Sequence, residues 1–260
     1  MSVWEAAVLG VVQGATEFLP VSSSGHLVIG QSVLGINMPG VVFEVSVHLA
    51  TAISILFAYR SRVAKLLVGA LRLDARVLRY LALLLVASLP AGIAGTLGGS
   101  FFEALFEAPA VVGVGLLMTG GVLWTSRRVL TSATDPLPGW GGALLIGIAQ
   151  AFAIVPGVSR SGATVVAALW LGVEAREAAA FSFLMAVPAI VGAALIQLPQ
   201  MGNVGGPSWL LLGVGALTAG ITGVLAIRTF VAMLGNRSFF LFAPYCWLAG
   251  GIFLFYLMLS

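Results

Sequence analysis

Apolar residues run through this chain in long blocks rather than in alternation. Blocks of about 20 residues, the length that crosses a hydrocarbon layer as a helix, occupy 41–60, 80–100, 108–126, 178–198, 208–228 and 239–259. Each predicts a full transmembrane helix. Two further apolar stretches, 2–36 and 139–173, are interrupted near their middles. The first break reads Phe18-Leu19-Pro20-Val21-Ser22-Ser23-Ser24-Gly25-His26, the second Val155-Pro156-Gly157-Val158-Ser159-Arg160-Ser161-Gly162-Ala163-Thr164. The flanking halves, about 15 residues each, are too short to span. Non-helical backbone at membrane depth is tolerated only inside protein or beside a water-filled cavity. Both stretches therefore predict re-entrant helix–loop–helix hairpins.

The two breaks are related. With residues 137 apart paired, Gly10 matches Gly147, Gln13 matches Gln150, Val21 matches Val158, Ser22 matches Ser159, Ser24 matches Ser161 and Gly25 matches Gly162. This is an internal repeat, with units 1–130 and 138–260, each holding one hairpin and three spans. A hairpin returns to its own side and three spans cross over, so the second unit starts on the opposite face. The expected fold is an all-α integral membrane protein in a single domain, 1–260. Six transmembrane helices and two re-entrant hairpins form an inverted-topology repeat, with the hairpin tips meeting near the midplane.

Composition agrees. Hydrophobic residues make up 60% of the 260 and charged residues 8%, against about 25% charged in soluble domains, too little polar surface for a water-exposed globule. The net charge of +3 comes from twelve scattered basic residues against nine acids, which excludes a nucleic-acid surface. The single Cys246 excludes an intrachain disulfide and a multi-cysteine metal site. The N-terminal residues lack the basic segment of a cleavable signal peptide. Basic residues favour the cytoplasmic face. Arg60, Arg62, Lys65, Arg72, Arg76, Arg79, Arg127, Arg128, Arg176, Arg228 and Arg237 all fall on one side of the predicted topology. Both termini are then expected in the periplasm.

Arg160 is the exception, at the tip of the second hairpin. A guanidinium at bilayer depth costs at least ~2.5–3.5 kcal/mol, so it needs a partner or a task. One reading is an ion pair with Glu17 that locks the repeats together; the other is an anion clamp, for which the planar fork of arginine suits phosphate. Glu17, three residues before Pro20, ends a half-helix, and His26 sits beside a serine triplet. Ser22, Ser24, Ser159 and Ser161 either cap helices or join the backbone N–H groups of the next half-helix in an anion site. Glu44 and His48 form a second polar pair, four residues apart on one helix face. Together these groups call for a ligand with clustered negative charge and little other polar surface, such as a diphosphate on a lipid tail. A transporter for such an anionic lipid is the competing class, because inverted repeats with broken helices are a transporter architecture. Gly10 and Gly14 form a small-xxx-small pair that packs helices within one chain or in a homodimer.

The segment from Gln13 to His26, QGATEFLPVSSSGH, closely resembles the first signature of the undecaprenyl-diphosphatase (bacitracin-resistance) family, and Pro156 to Thr164, PGVSRSGAT, resembles its second. The resemblance implies hydrolysis of undecaprenyl diphosphate to the monophosphate and phosphate at the bacterial inner membrane, with a site opening to the periplasm. It implies that Glu17 is the essential carboxylate, His26 the essential histidine, Ser23 the candidate nucleophile and Arg160 the phosphate-binding arginine. Ser159 and Thr164 are its supporting hydroxyls, and Ser22, Ser24, Gly25, Ser161 and Gly162 complete the diphosphate site. Gln13 stands where many relatives carry a second Glu. The family's activity is supported by Mg²⁺ or Ca²⁺, with Glu17 the expected ligand here. On this basis Ser23 attacks with His26 as its base, or His26 attacks directly.

Overall fold

The computed structural model describes residues 1–34, 41–130, 132–201 and 208–259; residues 35–40, 131, 202–207 and 260, including the last two of the first predicted hairpin, lie outside the described residues. The described residues form helices, with one isolated bridge between Asp135 and Val173 as their only extended pairing.

Five helices are long and apolar enough to cross a membrane. They are α5 (Ala75–Leu97), α7 (Pro109–Thr125), α10 (Ala175–Met201), α11 (Trp209–Gly235) and α12 (Phe242–Leu259). The remaining predicted span differs from expectation. Its apolar part is α3 (Val41–Ala58), after which the chain bends by 80° into α4 (Arg60–Leu71). The bend falls where Arg60, Arg62 and Lys65 begin, and cationic heads seek the membrane surface rather than its interior. Arg62 is held there by an ion pair to Glu177 in the first turn of α10, and its guanidinium lies 5.0 Å from the ring of Tyr80 in the second turn of α5. The short α6 (Gly99–Phe106) was also not predicted. It is too brief to give a clear periodic signal.

Both interrupted stretches are pairs of short helices: α1 (Val3–Phe18) with α2 (Ser23–Leu34), and α8 (Trp140–Phe152) with α9 (Arg160–Trp170). Pro20 ends α1 because it supplies no N–H for the next turn, whereas α8 ends at Phe152 and passes through tighter turns to Pro156. Ser22 takes a left-handed φ of 68° at the first break, Gly157 a φ of 88° at the second. The second pair leaves where it entered: Asp135 N–H donates to the Gly172 carbonyl at 2.8 Å, and Glu174 N–H to the Asp135 carbonyl at 2.8 Å. That ties the strap before α8 to the exit of α9.

Lipid is as apolar as leucine, so helices in a membrane associate by close packing rather than by a hydrophobic drive. Glycine supplies that closeness here. A Cβ on Gly10 would stand 2.4 Å from the Gly215 carbonyl oxygen, and one on Gly14 2.3 Å from that of Ala219. Gly10 and Gly14 thus seat α1 against α11 within one chain. Gly147 does the same for α8 against α5, where a Cβ would meet the Ala87 carbonyl oxygen at 2.4 Å. Helix α3 lies against α11 and α10, and α7 against α12. Ser54 Oγ on α3 donates to the Gly220 carbonyl of α11 at 2.9 Å.

Gly14→Val is expected to destabilise the protein by about 1–3 kcal/mol or more through backbone displacement. Thermal unfolding of the detergent-solubilised protein measures it. Gly251→Ala, where a Cβ meets nothing within 4 Å, should leave stability unchanged or raise it by up to about 1 kcal/mol in the same assay.

Candidate active site

The two breaks meet. A Cβ on Gly25 would lie 3.2 Å from Cα of Gly157, and a Cβ on Gly162 would lie 3.3 Å from Cβ of Pro20. Each hairpin loop thus rests on the first turn of the other hairpin's second helix. Those first turns are built alike. Ser22 Oγ accepts from Gly25 N–H at 3.2 Å, and Ser159 Oγ accepts from Gly162 N–H at 3.1 Å. Ser22 and Ser24 hydroxyls pair at 3.3 Å, Ser159 and Ser161 at 3.2 Å. Capping is therefore what Ser22 and Ser159 do. The amides of Ser23, Ser24, Arg160 and Ser161 have no main-chain partner among the described residues. Two helix N-termini with free donors favour an anion between them.

Glu17, near the end of α1, is the hub. Its Oε1 accepts from Arg160 Nη2 at 2.6 Å. Its Oε2 accepts from Ser23 Oγ at 2.7 Å and from Gln13 Nε2 at 3.0 Å. His48 Nε2 stands 3.9 Å from the same oxygen. The Glu17 side chain is 6% exposed and that of Arg160 18%, so both border open space and the guanidinium reaches further into it. That space is a cavity of about 360 Å³, lined by Glu17, Ser22, Ser23, Ser24, Ser159 and Arg160, together with Thr16, Glu44, His48, Phe106 and Gln197.

Several expected residues lie elsewhere. His26 does not line the cavity. Its Nδ1 is 2.8 Å from the Ser22 carbonyl, which can only accept, so Nδ1 carries the proton. Its Nε2 accepts from the Tyr245 hydroxyl at 2.6 Å. Both ring nitrogens of the neutral imidazole are engaged, and neither faces Ser23; the structure does not join His26 to Ser23 as base to nucleophile. Thr164 is fully buried. Its Oγ1 donates to the Arg160 carbonyl at 2.7 Å and pairs with Ser182 Oγ at 2.6 Å, tying α9 to α10. Ser161, Gly25, Gly162 and Gln13 stand behind the lining rather than in it. Ser161 Oγ lies 3.4 Å from the Leu19 carbonyl of the opposite loop.

Other residues of the site had no signal in the sequence. Thr119 on α7 holds the second loop, its Oγ1 donating to the Gly157 carbonyl and accepting from Ser159 N–H, both at 3.0 Å. Tyr245, Thr119 and Ser182 each sit inside an unbroken apolar run, where a single hydroxyl is unremarked until the fold supplies its partner. Glu44 and His48 were visible as a pair. The structure places both on the cavity wall.

A polytopic α-helical membrane protein, with a carboxylate, an arginine and serine hydroxyls gathered where two interrupted helices meet, is the class that fold and site define. A family model described as Bacitracin resistance protein BacA matches residues 6–252. The chain is 38% identical to an undecaprenyl-diphosphatase of Desulforapulum autotrophicum over 96% of each sequence. It is 39% identical to one of Syntrophotalea carbinolica, over 97% of this chain and 98% of that one, and 34% identical to one of Methanobrevibacter smithii, over 96% of each. The chain belongs to the BacA family of bacitracin resistance proteins.

Breaking a buried ion pair by removing one partner strands the other charge, at a cost of about 3–5 kcal/mol. Glu17→Gln and Arg160→Gln should each lower the thermal stability of the solubilised protein accordingly. The double variant should recover most of the loss. A double variant less stable than either single one would show that the pair does not hold the hairpins together.

Proposed function

We propose that this protein is a polyprenyl diphosphate phosphatase that hydrolyses undecaprenyl diphosphate to undecaprenyl phosphate and phosphate, recycling the lipid carrier of wall synthesis. The observation that carries the reading is the single carboxylate of Glu17 holding both a serine hydroxyl and the cavity's guanidinium. A pure anion clamp has no use for the Ser23–Glu17 contact; a nucleophile with its proton acceptor does. The relatives that bear this activity in their names match nearly the whole chain.

The chemistry follows from the geometry. The terminal phosphate lies among Arg160, the free amides of Ser23, Ser24 and Arg160, and the hydroxyls of Ser22 and Ser24. Those donors oppose the charge that grows on its oxygens in the transition state. Ser23 Oγ attacks phosphorus as Glu17 takes its proton. The bond from phosphorus to the bridging oxygen breaks, and the polyprenyl monophosphate leaves with that proton. Water then attacks the phosphoserine, giving a proton to Glu17. The phosphorus–Oγ bond breaks, and Ser23 regains a proton from Glu17 as phosphate departs. His26 supports the site by holding the Ser22 carbonyl at the turn before Ser23.

The residues also fit a divalent cation of the Mg²⁺ or Ca²⁺ type. Among the described residues no three His, Cys, Asp or Glu side chains are grouped to hold a metal by themselves. Yet Glu17 and Glu44 border the cavity, and Gln13 Oε1 is buried without a hydrogen-bond partner. Mg²⁺ is commonly held by one or two carboxylates plus substrate phosphates. Glu17, Glu44 and Gln13 would hold it, and it would neutralise phosphate charge.

The protein is an inverted-topology repeat whose second unit enters the membrane from the opposite face. The contacts of α1 with α11 and of α8 with α5 exchange partners between residues 1–130 and 138–260, which supports an inverted repeat. Phe106, Glu44 and Gln197 line the cavity on the side away from Arg62, Arg127 and Arg176. That supports a periplasmic opening in the inner membrane.

Phosphate release from undecaprenyl diphosphate by purified protein in detergent tests the activity without a membrane to cross, and so separates a phosphatase from a flippase. Ser23→Ala should lower the rate by about 10³-fold or more, and Arg160→Ala by about 10²–10³. EDTA should suppress release and Mg²⁺ restore it. Full turnover in Ser23→Ala would remove the serine from the mechanism.

A further inference from the structure

The polar cavity does not end at Arg160. A second cavity of about 840 Å³ opens from the same place, walled by α5 through Leu85, Leu89 and Ile93 and by α10 through Pro188 and Ile196. The two share Ala153, Ile154, Arg160, Ala189 and Ala193. Arg160 is thus the only charged group on the second wall, at its junction with the first. A ligand that fits both has a compact anionic end and a long run of hydrocarbon.

Glycines keep this groove open. Gly92 and Gly95 on α5 and Gly192 on α10 line it, and a Cβ built on any of them meets no atom within 4 Å. At Gly10, Gly14 and Gly147 the missing side chain admits a neighbouring helix. At these three positions it admits nothing of the protein, although glycine costs about 1 kcal/mol in a helix interior. The free space belongs to the groove.

We propose that the groove between α5 and α10 binds the isoprene units next to the diphosphate, and that Gly92 and Gly192 set the width available to the chain. This rests on the phosphatase reading and adds where the lipid part of the substrate is recognised. Moving a prenyl chain from bilayer to groove changes little in hydrophobic exposure, because lipid tails are equally apolar. The groove therefore acts through shape: a chain seated in it aims the diphosphate at Ser23, and a chain excluded from it leaves the head misaligned.

The test is a chain-length ratio, which is insensitive to general damage. Phosphate release by the solubilised protein is measured with farnesyl diphosphate, three isoprene units, and with dimethylallyl diphosphate, one unit. Undecaprenyl diphosphate is run in parallel. The wild type should favour three units over one. Gly92→Phe and Gly192→Phe should lower that preference about tenfold or more, with undecaprenyl diphosphate falling alongside farnesyl. Gly251→Phe on α12, also facing open space, should leave it unchanged. An unchanged ratio in both groove variants, or a wild type that does not distinguish three units from one, overturns the assignment. Release of phosphate from none of the three by the wild type would instead overturn the phosphatase reading on which it stands.

Discussion

One contact joins what the rest of the molecule prepares: the guanidinium of Arg160 against the carboxylate of Glu17. Each charge is costly at membrane depth, and each comes from a different interrupted helix. Bringing them together offsets part of both desolvation costs and pins the two hairpins to each other. The pair is asymmetric in exposure. Glu17 is closed in by Gln13 and Ser23, while Arg160 borders both cavities. A structural ion pair has no need of that asymmetry, whereas a site that must receive an anion does.

The pair can form only because the helices stop where they do. Pro20 ends α1, α8 gives way to the turns that lead to Pro156, and Ser22 and Ser159 restart the second halves with the same cap. Interruption leaves the first amides of α2 and α9 without main-chain partners among the described residues. In a continuous helix those donors would be spent on the preceding turn. Glycine does the remaining work. Gly157 admits α7, where a Cβ would meet the Val112 carbonyl oxygen at 2.2 Å, and Gly25 admits the opposite loop. Polar tips and close packing are one device here, since loops at membrane depth must be covered by protein.

Amphiphile recognition follows from where polar and apolar linings divide. The smaller cavity gathers the serine hydroxyls with Glu17 and Glu44, whereas the larger one is walled mostly by leucine, isoleucine, alanine and glycine, with Ser88, Thr96 and Gln150 among them. Their boundary is Arg160.

Much of this was legible in the residues. Five of six spans, both interruptions and the presence of Glu17, Ser23 and Arg160 at them follow from hydropathy, from Pro and Gly positions and from the expense of charge in hydrocarbon, all local properties of the chain. The bend after Ala58 was not legible, because an apolar run does not record where its axis turns. Nor was the true company of His26. In the sequence it stands three residues from Ser23, within one helical turn. On the helix those three residues, with the Ser22 carbonyl and the distant Tyr245, turn its ring away from the cavity, and His48, from another helix, borders Glu17 instead. Residue type and interruption are written along the chain. Which side chain faces which is settled only when helices far apart in sequence pack, because orientation about a helix axis has no meaning until a neighbour defines a direction.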